Sequence, residues 1–293
     1  MTGLVRDIDT PAALIESAVL GKNICAMQAL ADRCGVNLRV HIKTHKIPEL
    51  AKRQLKHGAV GIAVAKLGEA EVMAEAGIKD IQVANIIVGP HKIQRLLRLA
   101  KGRHVAVAVD SIENARELSD AFRRHHSRLN VLVKVNTGLN RCGFDSFEAI
   151  HTFVKKASRL PGINIVGLMT HAGHVYAARS REEIKAIGTA EGATMVEYAK
   201  RLRELGFPID VVSVGSAPTA AYCAKVKGVT ELRVGVYIFN DMTQVSLRVV
   251  KTNRCALTVM ATVISTPSKD RAVIDAGAKA LGLDRGAHGR AVL

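Results

Sequence analysis

Eight short runs dominated by β-branched and other apolar residues recur along this chain, each followed by a longer stretch of helix formers. That alternation limits the fold more than any other feature. The runs cover 36–43 (VNLRVHIK), 59–65, 80–88, 104–110, 129–136, 163–171, 209–216 and 231–239. Between them, stretches such as IPELAKRQLKHG and SIENARELSDAFRRHH space apolar residues three and four apart, the mark of an amphipathic helix. Gly58 and Gly77 stand where a helix end calls for a left-handed residue. Strands that read as unbroken apolar runs are buried on both faces, as in a parallel sheet covered by helices. An open doubly wound sheet would use the same units. However, no GxGxxG follows a strand, and polar residues gather at the C-terminal ends of most runs, where a barrel keeps its site. The expectation is an α/β chain with a (β/α)8 TIM-type barrel over residues 21–244. After Val245 the pattern changes to strands and turns without a long helix, which predicts a second, β-rich domain over 245–293. Residues 1–20 are expected to contribute to that domain, which is expected to be truncated.

Composition narrows the function classes. The chain has 293 residues, ample for a large barrel, and 42 Lys and Arg against 26 Asp and Glu leave a net charge of +16. A basic surface attracts phosphates, but single-strand binders also stack bases on aromatic rings, and here there are no Trp, 4 Tyr and 6 Phe. The charge is spread along the whole chain, so small anions are the expected ligands and nucleic acid is not an expected partner. Five widely spaced cysteines without a CxxC pair support neither a disulfide framework nor a zinc ribbon, and a cytoplasmic setting is expected. The N-terminus MTGLVRDIDTPAALIES lacks a signal-peptide pattern, and no stretch approaches the roughly 18 apolar residues of a membrane span.

Five clusters carry chemistry. In LRVHIKTHK, strand alternation would send Arg39, His41, Lys43 and His45 to one side, toward the barrel interior. Four such side chains sharing an interior are costly without an anion or a chemical role, and a lysine crowded by cations has a lowered pKa and becomes a usable nucleophile. The plainer reading is a solvated strand end carrying basic residues. VGSAPTA, with Gly215, Ser216, Ala217 and Thr219, follows the seventh run and can offer backbone N–H groups to a phosphate, or be a simple tight turn. RVGVY, Arg233 to Tyr237, ends the eighth run, and the last two loops of such barrels form their usual phosphate site. MTHAGHVY places Thr170, His171, His174 and Tyr176 at the end of the sixth run, where two imidazoles alone make a weak metal argument. VNTGLNRCGF places Asn136, Thr137, Asn140 and Arg141 in a polar loop after the fifth. Together they suggest a phosphorylated carbonyl cofactor held as a Schiff base.

These motifs resemble the alanine-racemase-like, fold type III pyridoxal-phosphate enzymes, and within them the D-threonine aldolase and D-serine dehydratase branch. The resemblance runs from DTPAALIE through HIKTHK, VAKLGEAEVMAEAGI, VNTGLNRCGF, THAGH, GSAPT and GVYIFND to DAGAKAL. It implies that Lys43 carries pyridoxal 5′-phosphate, that Ser216 with the backbone of Gly215, Ala217, Gly235 and Val236 holds the phosphate, and that Tyr237 lies with them. It places Arg141 near the cofactor's phenolic oxygen, Arg233 near its pyridine nitrogen, and His171 near the substrate hydroxyl as base. The implied activity is a lyase cleaving β-hydroxy D-amino acids, with aldolase ahead of dehydratase; a racemase would need a second base, which the sequence does not identify. A small D-amino acid is the implied partner, a homodimer the implied assembly, and a divalent metal, manganese or zinc, a further implied cofactor. The branch carries its metal ligands in a later His-containing segment. The tail after Asp284, RGAHGRAVL, does not match it, so His288 is not assigned and the metal ligands are unknown. A barrel that binds the cofactor without turnover is the rival from another class.

Overall fold

All eight apolar runs form strands, and these close on one another in chain order. The structure, a computed structural model, describes residues 7–278 and 280–282, so the tail with His288 lies outside the described residues. In order the elements are β1 (Ala12–Ile15), α1 (Ser17–Cys34), β2 (Asn37–His41), α2 (Pro48–Lys56), β3 (Gly61–Val64), α3 (Leu67–Glu75) and β4 (Asp80–Ile86). They continue with α4 (Pro90–Ala100), β5 (His104–Val109), α5 (Ile112–Arg124), β6 (Leu129–Lys134), α6 (Phe147–Ala157), β7 (Ile163–Met169) and α7 (Arg181–Glu204). The last are β8 (Val211–Val214), α8 (Ala220–Cys223), β9 (Glu231–Val234), α9 (Met242–Ser246), β10 (Leu257–Met260), β11 (Val263–Ser268) and β12 (Arg271–Ile274).

Strands β2 to β9 are parallel throughout, and β2 closes the ring by pairing with β9, Leu38 opposite Leu232 and Val40 opposite Val234. Every residue of β3 and of β9 is buried, which is why these strands read as runs rather than alternations. Ala108, Leu132 and Met169, from three successive strands, pack together inside the sheet. Helices α5, α6 and α7 begin at side-chain caps: Ser111, Ser146 and Ser180 accept the N–H of Asn114, Ala149 and Glu183. Each such cap contributes about 1 kcal/mol. Gly58 and Gly77 follow α2 and α3 with φ of +113° and +91°, the left-handed exits expected of them.

One expectation fails locally. The alternation of LRVHIKTHK breaks at His41, where β2 ends and Ile42–Thr44 form a single 3-10 turn. The His41 ring Nδ1 accepts the Lys43 N–H at 3.3 Å and so caps that turn. Arg39 and His41 therefore share a strand face, Lys43 stands on the turn, and His45 leaves the group to donate to Gln54 Oε1 of α2 at 3.1 Å.

The chain divides into two compact units, Cys25–Val236 with the barrel, and the described part of Met1–Ile24 with Tyr237–Leu293. In the second unit β1 pairs antiparallel with β10, Ala12 opposite Met260 and Ile15 opposite Leu257, and β11 pairs antiparallel with β12. Asn23 donates to the carbonyls of Ile238 and Arg254, and Asp275 accepts from the Thr10 hydroxyl and the Thr262 N–H. Among the described residues no helix is long and apolar enough to cross a membrane.

Candidate active site

The C-terminal ends of the barrel strands open into a cavity of about 330 Å³. Four cationic side chains line it, those of Lys43, Lys134, Arg141 and Arg233, together with His41 and His171 and, among the described residues, no carboxylate. Such a lining selects for an anion. Ser216, Ala217, Gly235 and Val236 line it too, from the turns after β8 and β9. A Cβ on Gly235 would sit 2.7 Å from the His41 carbonyl oxygen, so this turn must stay bare backbone to lie where it does. Gly215 is buried and is not among the lining residues, and neither is Tyr237, which belongs to the other compact unit.

Lys43 keeps its side chain accessible at the cavity mouth. Desolvation by the surrounding protein lowers its pKa, and the charges of Arg141 and Arg233 add to that, against a small opposing effect of Glu69. A larger fraction of the amine is thus uncharged at neutral pH, which is what attack on an aldehyde carbon needs. Lys134 on β6 is a second amine in the same cavity; burial and the charge of Arg233 bring it to about 8. Its Nζ donates to the Ala84 carbonyl at 2.8 Å, and it is 4% exposed against the open position of Lys43.

His171 follows β7. Its Nδ1 donates to the Gly215 carbonyl at 3.3 Å, which fixes the tautomer and leaves Nε2 with the lone pair. Burial, then the charges of Lys43 and Arg233, hold its pKa at about 3, so the ring is neutral at pH 7. Anionic ligand groups placed among those cations oppose the very charges that depress it. His41 is likewise pushed well below the usual imidazole range by burial and Lys43. His174 does not line the cavity, while Tyr176 does.

Arg233 sits 4% exposed at the end of β9, donating to Ser213 Oγ at 2.5 Å and to the Thr170 carbonyl. Arg141 is carried by a loop that binds itself: Asn136 Oδ1 accepts the N–H groups of Gly138 and Asn140, and its amide reaches Asn140 and Asp145. Two contributors escape motif reading. Lys134 is the lysine of an ordinary strand run, and Glu191, in the middle of α7, is a buried carboxylate behind the Gly215 turn.

The cavity suits pyridoxal phosphate: an accessible, pKa-depressed amine for the aldehyde, bare turns with a hydroxyl for the phosphate, and arginines for the ring. Among the described residues no group of three or more His, Cys, Asp or Glu is placed to hold a metal ion, and no metal ligand is assigned.

Comparison with known proteins agrees with this geometry. The alanine racemase N-terminal domain family matches residues 15–242, and the putative serine dehydratase domain matches 256–292. A D-threonine aldolase from Arthrobacter sp. is 37% identical over 276 residues, 93% of this chain and 72% of that protein. The crystal structure of D-threonine aldolase from Filomicrobium marinum superposes with a TM-score of 0.89 at 32% identity, covering 96% of this chain and 76% of that one. D-threo-3-hydroxyaspartate dehydratase from Delftia sp. HT23 gives 0.90 at 35% identity, covering 97% and 76%. The chain therefore belongs to the alanine-racemase-like, fold type III family of pyridoxal-phosphate enzymes.

Proposed function

We propose that this protein is a lyase that cleaves β-hydroxy D-amino acids between Cα and Cβ, turning D-threonine into glycine and acetaldehyde. The observation that carries the reading is that Lys43, His171 and the Ser216 and Gly235 turns line one cavity to which the described residues contribute no carboxylate. When bound, pyridoxal phosphate supplies an electron sink that lowers the cost of negative charge at the substrate Cα. Lys43 is the amine that would hold the cofactor's aldehyde group. Ser216 and the backbone of Ala217, Gly235 and Val236 would hold its phosphate, and Arg233 and Arg141 would hold its ring, all of them lining the cavity. His171 Nε2 takes the proton from the β-hydroxyl oxygen, so that the O–H electrons can form the aldehyde C=O as the Cα–Cβ bond breaks. A proton delivered to Cα completes glycine.

A second reading has its own support. The Delftia relative is a dehydratase by name, and a depressed Lys43 amine is suited to taking the Cα proton once the substrate has displaced it. Loss of the β-hydroxyl with a proton as water, followed by hydrolysis, then gives pyruvate and ammonia from D-serine. One experiment separates the two: the protein is loaded with pyridoxal phosphate, with and without added manganese or zinc, and given D-threonine and D-serine in turn. Glycine with acetaldehyde supports the aldolase, pyruvate with ammonia the dehydratase, and consumption of neither substrate overturns the lyase proposal.

His171 provides a residue-level check. His171→Gln is expected to lower kcat by about 10²–10⁴-fold, the usual worth of a positioned proton acceptor. Absorbance titration should meanwhile show cofactor affinity close to the wild type. A kcat left unchanged would remove His171 from the reaction.

A further inference from the structure

Behind the turn assigned to the phosphate lies a carboxylate that the mechanism does not use. Glu191 belongs to α7, outside the barrel, and is 2% exposed. Its Oε1 accepts the Gly215 N–H at 2.9 Å and the Ala172 N–H at 3.3 Å, and its Oε2 accepts the Thr219 hydroxyl at 3.1 Å. Thr219 Oγ1 in turn accepts the Ser216 N–H at 3.1 Å and lies 3.0 Å from Ser216 Oγ. One side chain thus reaches the turn after β8 at two places and the residue that follows His171. The two segments meet again where His171 Nδ1 donates to the Gly215 carbonyl.

The helix is shaped to bring this carboxylate in. Gly188 and Gly192 flank it at helical spacing, although glycine weakens a helix interior relative to alanine. A Cβ on Gly188 would lie 3.0 Å from Thr219 Cβ, and one on Gly192 would lie 2.7 Å from a Val226 methyl. Bare positions on either side of Glu191 therefore let α7 settle against the 219–226 segment. Burial raises the pKa of Glu191, opposed by the N–H and hydroxyl donors and by Arg233. An acid placed in so unfavourable a setting, with every donor around it an active-site loop group, has a role beyond packing.

We propose that Glu191 is a positioning residue that holds the Gly215–Thr219 turn and the His171 strand end in one register, a role that rests on the cofactor reading above. Its oxygens fix the phosphate cup from behind. Through Gly215 and Ala172 they set where His171 stands relative to that cup.

The test uses two ligands and two variants. Dissociation constants for pyridoxal 5′-phosphate and for pyridoxal, which lacks the phosphate, are measured by absorbance titration in wild type, Glu191→Leu and Glu191→Gln. Leucine fills the space but accepts no hydrogen bond, whereas glutamine keeps one oxygen for the Gly215 and Ala172 N–H groups. The leucine variant should lose about tenfold or more of the preference for the phosphate ester, and about tenfold in kcat at saturating cofactor, while glutamine restores most of both. Equal weakening of the two ligands, or an unchanged preference in the leucine variant, overturns the proposal. Should that variant fail to fold, Thr219→Val removes the hydroxyl that links Glu191 Oε2 to the Ser216 N–H and hydroxyl and should cost the preference about threefold or more; no change there overturns it as well. A wild-type protein that binds the phosphate ester no better than pyridoxal defeats the cofactor reading itself, which is a separate outcome.

Discussion

Replacing Lys43 with alanine is expected to abolish the visible absorbance acquired by protein-bound pyridoxal phosphate and to lower lyase turnover by at least about 10²-fold. Lys43→Arg should do the same. It preserves the positive charge at the cavity mouth and lacks a condensing amine, so it separates covalent chemistry from charge. The competing amine is Lys134, whose pKa of about 8 makes it chemically the more available of an ordinary pair. Geometry decides against it. Lys134 is 4% exposed and its Nζ is committed to the Ala84 carbonyl at 2.8 Å, while Lys43 stands accessible on a turn. Borohydride reduction of the loaded protein followed by peptide mapping should therefore tag Lys43. A tag on Lys134, or on neither, would sink the assignment. The pH dependence follows in sign from the lowered Lys43 pKa. The amine becomes reactive as it loses its proton, so the rate of cofactor capture by the apoprotein rises with pH. Its midpoint should fall below the roughly 10.4 of an ordinary lysine.

The barrel was legible because its strands are buried on both sides. Runs such as GIAV and ELRV are buried throughout, and amphipathic stretches after most of the runs supply the cover. Lys43 was legible for a weaker reason. Period-two counting put it on a strand face, whereas it stands on a turn that the His41 ring caps, and side-chain capping of this kind leaves no trace in apolar periodicity. The same counting expected Arg39 to share an uncompensated cationic cluster. Its carboxylate partners, Asp80 and Glu231, lie 41 and 192 residues away, and only closure of the ring brings them together. Glu191 was invisible for another reason: an acid in a long charged helix reads as a solvated residue. The usable signal was the pair of glycines on either side of it, which marks a face in close contact.

That Arg39 network carries the largest expected stability effect. Arg39 Nε donates to Glu231 Oε2 at 2.6 Å and its NH1 to Asp80 Oδ1 at 2.5 Å, while Glu231 Oε1 accepts from Ser213 Oγ at 2.7 Å and Gln82 Nε2 at 3.2 Å. Glu231 is 4% exposed, so removing it strands a guanidinium in the barrel interior with only the half-exposed Asp80. Glu231→Leu should cost about 3–5 kcal/mol in denaturant unfolding, the usual result of breaking one side of a buried pair. Replacing both partners, Arg39→Met with Glu231→Leu, should recover much of that loss, because the carboxylate that then loses its partner, Asp80, is half-exposed and stays solvated. A single variant within about 1 kcal/mol of wild type would show that the pair is dispensable. Burial alone would push the Glu231 carboxyl up, but the charge of Arg39 and the Ser213 and Arg39 hydrogen bonds leave it below its ordinary value. A depressed carboxylate gives stability that is full above its unfolded pKa of roughly 4.3 and is lost as pH falls through the folded value. The gap between wild type and Glu231→Gln should accordingly narrow as the protein is acidified below that range. The network also reaches the site: Ser213, which donates to Glu231, accepts from Arg233. With Glu231 gone, the Ser213 hydroxyl is free to turn and Arg233 keeps the Thr170 carbonyl but loses the second of its fixed acceptors. Glu231→Leu should thus weaken cofactor binding as well as folding, and the double variant, which repairs the charge balance without restoring that acceptor, should recover stability and leave cofactor affinity low.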